Sequence, residues 1–149
     1  MTGPKAVSND DPYDWRRLPG QTGFIAEMPY SVAFLLADQT YRGRTVVWLK
    51  EHFDDPADLP TGLRNALMNE VMFVAEAIRR TLRPDRLNYT CFGNAVPHVH
   101  FHIIPRFRTD PDWGTAPWRE NVTTGLPAGE LDALAARIRE TLETVMTED

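Results

Sequence analysis

Residues 97–105 read Pro-His-Val-His-Phe-His-Ile-Ile-Pro, and this run limits the fold more than any other in the chain. Imidazole and apolar side chains alternate strictly from His98 to Ile103. That is the period of an extended strand, whose successive side chains point to opposite faces. A helix would scatter the same three rings around its circumference. The run predicts a strand over 98–104, with His98, His100 and His102 on one face and Val99, Phe101 and Ile103 on the other. The second face is core. The first is a solvent face or a site. Three of the chain's four histidines stand in this row, and each buried ring needs partners for its polar nitrogens. Packing alone gives no reason for them.

The rest of the chain supplies a setting for that strand. Short β-prone runs at 22–27, 31–37, 44–50 and 87–92 are separated by turn residues. Between them, Leu63, Leu67, Val71, Val74, Ile78 and Leu82 recur at steps of three and four. They predict a helix over 61–82, capped by Thr61 and stopped by Pro84 and Asp85. A second stripe, Leu131, Leu134, Ile138, Leu142 and Val145, predicts a last helix starting near Pro127. Residues 1–20 have the Gly, Pro and Asp content of an arm, which Tyr13 and Trp15 can pin to the body or to a partner. Residues 21–149 then form a single domain. Five strands and two helices with hairpin-length connections argue an α+β fold with a mainly antiparallel sheet.

Composition narrows the function. The chain of 149 residues carries a net charge of −5, the wrong sign for a protein that grips nucleic acid through its phosphates. Its longest apolar run, from Val32 to Ala37, has six residues, far short of the ~20 a membrane helix needs. No apolar leader follows Lys5, and the single cysteine, Cys91, has no disulfide partner. Both suit the cytoplasm.

Two chemistries remain for the histidine row. Neutral imidazole is a common zinc ligand, but alternate strand positions lie about 7 Å apart at a rise of ~3.3 Å per residue. One ion takes two such rings readily and three only awkwardly. Alternatively, one ring is a nucleophile towards phosphorus and its neighbours tune it. Three close rings oppose one another's protonation, which keeps at least one neutral. The residues alone leave both open.

From Asn88 through Gly93-Asn94-Ala95-Val96-Pro97-His98-Val99-His100-Phe101-His102-Ile103-Ile104-Pro105-Arg106 the chain resembles the histidine-triad (HIT) superfamily. The signature His-φ-His-φ-His-φ-φ, with φ apolar, is matched at every position, and the resemblance spans about residues 24–108. It implies a HIT-like α+β fold with five strands and two helices, a homodimer, and cleavage of a nucleoside phosphate at its α-phosphate. His100 is carried over as the nucleophile that forms a nucleotidyl-histidine, later hydrolysed by water. His98 is expected to orient it. His102 is expected to hydrogen-bond a phosphate oxygen or to assist the leaving group. A related branch of transferases and phosphorylases has Gln at the third position, so His102 points to the hydrolases. No cofactor is required, although Mg²⁺ can travel with a polyphosphate substrate.

The resemblance also marks binding residues. Asn94 and the backbone of the turn through Val96 are expected at the phosphate, with Ala95 where the family often has Ser or Thr. Arg44 stands where many members have a fourth histidine. It reads either as a solvated strand end or as a guanidinium for extra phosphates. Asp38 is expected at the ribose hydroxyls, and His52 in a structural role. Phe24, Ile25, Phe34 and Leu36 read as base-pocket walls or plain core. Arg106 and Arg108 can reach phosphates from the strand end. Trp113 and Trp118 are expected to pack on a dimer partner rather than to cover the site.

The implied function is a nucleotide hydrolase acting on a dinucleoside polyphosphate or a nucleoside phosphoramidate. Arg44 and Ala95 keep a non-catalytic nucleotide-binding scaffold as the alternative, with a His-ligated metal protein behind it.

Overall fold

The strands of this protein present unlike faces, and the fold gives each face a different cover. The computed structural model describes residues 10–18, 23–119 and 121–149. Strands β1 (Phe24–Glu27), β2 (Ser31–Leu35) and β3 (Thr45–Leu49) precede helix α1 (Thr61–Leu82). Strands β4 (Arg86–Thr90) and β5 (His100–Arg106) and helix α2 (Glu130–Glu148) follow it. The sheet order is β1-β2-β3-β5-β4, with every neighbouring pair antiparallel. This is the α+β architecture with five strands and two helices that the sequence predicts.

Both helices cover one face. Ala33 and Val47 meet Val99 and Ile103 there, under Leu67, Val71, Val74 and Ile78 of α1 and Leu134, Ile138 and Leu142 of α2. The opposite face carries a smaller cluster of Val32, Val46 and Trp48. Tyr13, Trp15 and Leu18 pack against it, so residues 10–18 of the arm are pinned to their own chain. The Trp48 indole N–H also donates to the Tyr13 carbonyl at 3.0 Å. The boundary expected at residues 20 and 21, and the strand start expected at Thr22, lie outside the described residues.

Register places the histidine row on this second face. Trp48 stands opposite His100, and Val46 opposite His102. Gly43, just before β3, has φ +90°. A Cβ there would collide with Leu82 and lie 2.9 Å from Pro105, so a residue without a side chain lets the chain turn tightly into Arg44.

Several boundaries differ from expectation. Thr61 is the first helical residue rather than the cap, because Pro60 takes the cap position without a side-chain bond. Helix α2 starts at Glu130, since Gly129 is left-handed and the Glu130 N–H closes a turn onto the Pro127 carbonyl. Strand β4 starts one residue early and stops at Thr90. β5 begins at His100 because His98 and Val99 donate their N–H groups to Val96 and Phe53 instead of a ladder.

Candidate active site

The three triad rings form a row on one face, each held differently. The His98 ring is fully buried, stacked between Tyr13 and Trp48 at ring distances of 5.3 and 4.4 Å. Its Nε2 donates to the Leu49 carbonyl at 2.6 Å. Its Nδ1 lies 2.9 Å from Nδ1 of His52, whose Nε2 is 3.0 Å from Asp54. Burial, the dominant cause, pushes His98 down to about 4, so the ring is neutral at ordinary pH and its Nδ1 accepts from His52.

His100 comes next. Its Nδ1 is 2.6 Å from the backbone carbonyl of His98. A carbonyl only accepts, so Nδ1 carries a proton, and in the neutral ring the lone pair is on Nε2. His102 sits 5.3 Å further on, ring to ring, with 9% of its surface exposed. The Nε–H of Arg44 donates to its Nδ1 at 3.2 Å. Burial first, then the charges of Arg44 and His100, pushes His102 down to about 3. The neutral ring therefore carries its proton on Nε2.

Arg44 is not a solvated strand end. Only 7% of it is exposed, and its guanidinium lies 4.7 Å from the ring of Trp118. Trp118 also meets His102 edge-on at 6.1 Å and Phe92 at 5.1 Å. It thus separates two cavities that share His102. One, of about 500 Å³, is lined by Phe92, Asn94, Val96, His100, His102 and Trp118. The other, of about 550 Å³, is lined by Leu36, Asp38, Arg44, His102, Trp118 and Arg119. The first has no charged side chain in its wall. The second holds two guanidiniums and a carboxylate.

The predicted site residues are divided between these spaces. Asn94 and Val96 face the apolar cavity, Asp38 and Arg44 the polar one, and His98 neither. One oxygen of Asp38 accepts from Thr40 and from the Thr124 N–H, which ties the following loop to the cavity edge. Arg106 does not face the site. It is 2% exposed and spends its donors on Asn88, Asp110 and the carbonyls of Asp112 and Thr115. It anchors the loop that carries Trp118. Ile25 belongs to the main core. Phe24, Phe34 and Leu36 join the smaller cluster, and Leu36 also lines the polar cavity. Trp118 touches Arg44, His102 and Phe92 of its own chain and leaves 51% of its surface exposed, and Phe92 and Arg119 join the site residues that the sequence marks. Among the described residues, no three His, Cys, Asp or Glu side chains are grouped to hold a metal ion. No described helix is long and apolar enough to cross a membrane.

The HIT domain family matches residues 20–109. The chain belongs to the HIT family. Protein hit of Bacillus subtilis is 31% identical over 100 residues, covering 64% of this chain and 68% of that protein. An uncharacterized HIT-like protein of Mycoplasma genitalium is 30% identical over 95 residues, 60% of this chain and 67% of its own. The crystal structure of histidine triad protein blr8122 from Bradyrhizobium japonicum superposes with a TM-score of 0.75 at 25% identity, covering 82% of this chain and 91% of that one. HIT proteins bind nucleotides and commonly dimerise, and the family includes hydrolases and transferases.

Proposed function

We propose that this HIT protein hydrolyses a nucleotide at its α-phosphate through a nucleotidyl-His100 intermediate. The observation that carries this reading is the 2.6 Å bond from His100 Nδ1 to the His98 carbonyl. In the neutral ring it puts the lone pair on Nε2, beside a cavity, the form in which imidazole attacks phosphorus.

The hydrogen bonds support the following steps. Nε2 of His100 bonds to phosphorus as the bond to the leaving group breaks, and the leaving group takes that electron pair. His102 donates its Nε2–H to a phosphoryl oxygen as charge develops there. Asn94 and the turn through Val96 contribute further polar contacts. Water then attacks phosphorus, its proton passes to solvent, and the electron pair returns to Nε2. His98 acts through its carbonyl and holds the nucleophile in one tautomer. Asp38 and Arg44 serve the ribose and phosphates in the polar cavity. A polyphosphate substrate brings Mg²⁺ as its own counter-ion, and the working unit is a homodimer.

The test is incubation with a dinucleoside polyphosphate and a nucleoside phosphoramidate. Nucleoside monophosphate should be released by wild type and not by H100A, with a nucleotidyl adduct on His100 in quenched wild-type samples. Equal rates for the two proteins would sink the reading. Calorimetric binding of nucleotide without any product would assign a nucleotide-binding scaffold instead.

A further inference from the structure

The contact between Arg44 and His102 goes beyond holding a phosphate. We propose that Arg44 is a positioning residue that locks His102 as a neutral Nε2–H donor, and that the site therefore prefers a leaving group that departs as a phosphate anion over one that departs as an amine.

This rests on the hydrolase reading above and deepens it. A proton cannot sit on a nitrogen that already receives an N–H at 3.2 Å. With Arg44 in place, His102 has one proton, on Nε2. Losing that proton would make an imidazolate, so His102 stabilises phosphoryl charge and does not supply a proton. The surroundings maintain this state. Trp118 covers the guanidinium. His100 faces His102 from the same strand. Among the described residues, Asp38 and Arg119 line the polar cavity beside the pair, and Asp38 and Tyr41 act on Arg44. Asp38 acts on Arg44 and favours its charged form, while among the described residues no carboxylate acts on His102.

The consequence for substrate is a matter of electrons and protons. When a phosphoric anhydride is cleaved, the P–O bond breaks and the pair stays on a phosphate oxygen, which is stable as an anion. When a phosphoramidate is cleaved, the P–N bond breaks and nitrogen must gain a proton to leave as an amine. An imidazolium at position 102 could give one, and Arg44 excludes it.

Two readouts test this on the full-length protein. In ¹⁵N-histidine spectra, assigned with H102Q, wild-type His102 should show a protonated Nε2 and a bare Nδ1, unchanged through the neutral pH range. R44A should lose that lock and titrate as an imidazolium, and R44K should fall between them. In parallel, the ratio of kcat/KM for a dinucleoside polyphosphate to that for a nucleoside phosphoramidate should fall by about tenfold or more in R44A, the modest end of what a general acid supplies. Thermal melts of R44A and R44K show whether each is folded. A wild-type His102 that carries its proton on Nδ1, or an R44A that alters neither tautomer nor ratio, overturns the proposal. Shifts that behave as expected with an unmoved ratio overturn its substrate half. If wild type turns over neither compound, the hydrolase reading and the substrate preference fail together, and the nitrogen shifts still judge the lock.

Discussion

The two ends of the histidine row are occupied by the same residue and treated in opposite ways. At one end His98 has both nitrogens engaged, by Leu49 and His52, and aromatic rings on both faces. At the other end His102 has one nitrogen engaged by Arg44 and lines both cavities. Both rings are buried and neutral. Burial therefore does not separate a structural histidine from a chemical one. What separates them is whether the second nitrogen is already spoken for. His100 stands between, with its proton drawn to a backbone carbonyl and its lone pair left over.

Substitutions at the centre and the two ends can break that contrast. The largest effect is expected at the centre: H100A should lower nucleotide cleavage by on the order of a thousandfold or more, measured as monophosphate release, with little change in denaturant midpoint. H102Q comes next. Removing one donor at the phosphoryl group should cost about a hundredfold in kcat, the usual scale for such a donor. H98A should invert the pattern. It empties a packed site and leaves two bonds unmade, so urea unfolding should show a loss of about 2–3 kcal/mol. The backbone carbonyl that orients His100 survives that change, and kcat of the folded fraction should stay within about tenfold. Y13A should produce a smaller version of the same loss, about 1 kcal/mol, by removing the ring that covers His98.

Acid sharpens the comparison further. His98 and His102 are pushed down to about 4 and about 3 from an ordinary value of 6.5. The unfolded chain therefore binds protons that the folded chain refuses. The stability this represents is complete above pH 6.5, falls as pH drops below that value, and levels off below about 3. Glu70, raised by burial, opposes the trend in the carboxylate range. Urea midpoints between pH 7.5 and 4.5 should fall less steeply in H98A than in wild type.

Much of this was readable in the sequence, for local reasons. Helix α1 spans the predicted residues because its apolar stripe and Pro84 are local signals. The alternation in 98–103 assigns faces correctly because the strand period leaves no choice. The site's outer parts were not legible. Trp118 reaches Arg44 across 74 positions, and no local pattern announces such a contact. Arg106 sits at the end of a strand with the same spacing as a ligand-facing residue, and only its four acceptors show it to be an anchor. The pairing of His52 with His98 needs the register of β3 against the segment before β5, which composition does not encode.

The wall that Trp118 makes between the two cavities bears on how the protein could be inhibited. Small fragments chosen separately, an apolar one beside Phe92 and Val96 and an anionic one beside Arg44 and Arg119, would both touch the indole of Trp118. A tether running past His102 would turn the second binding event into an intramolecular one, and its length would set the gain in affinity.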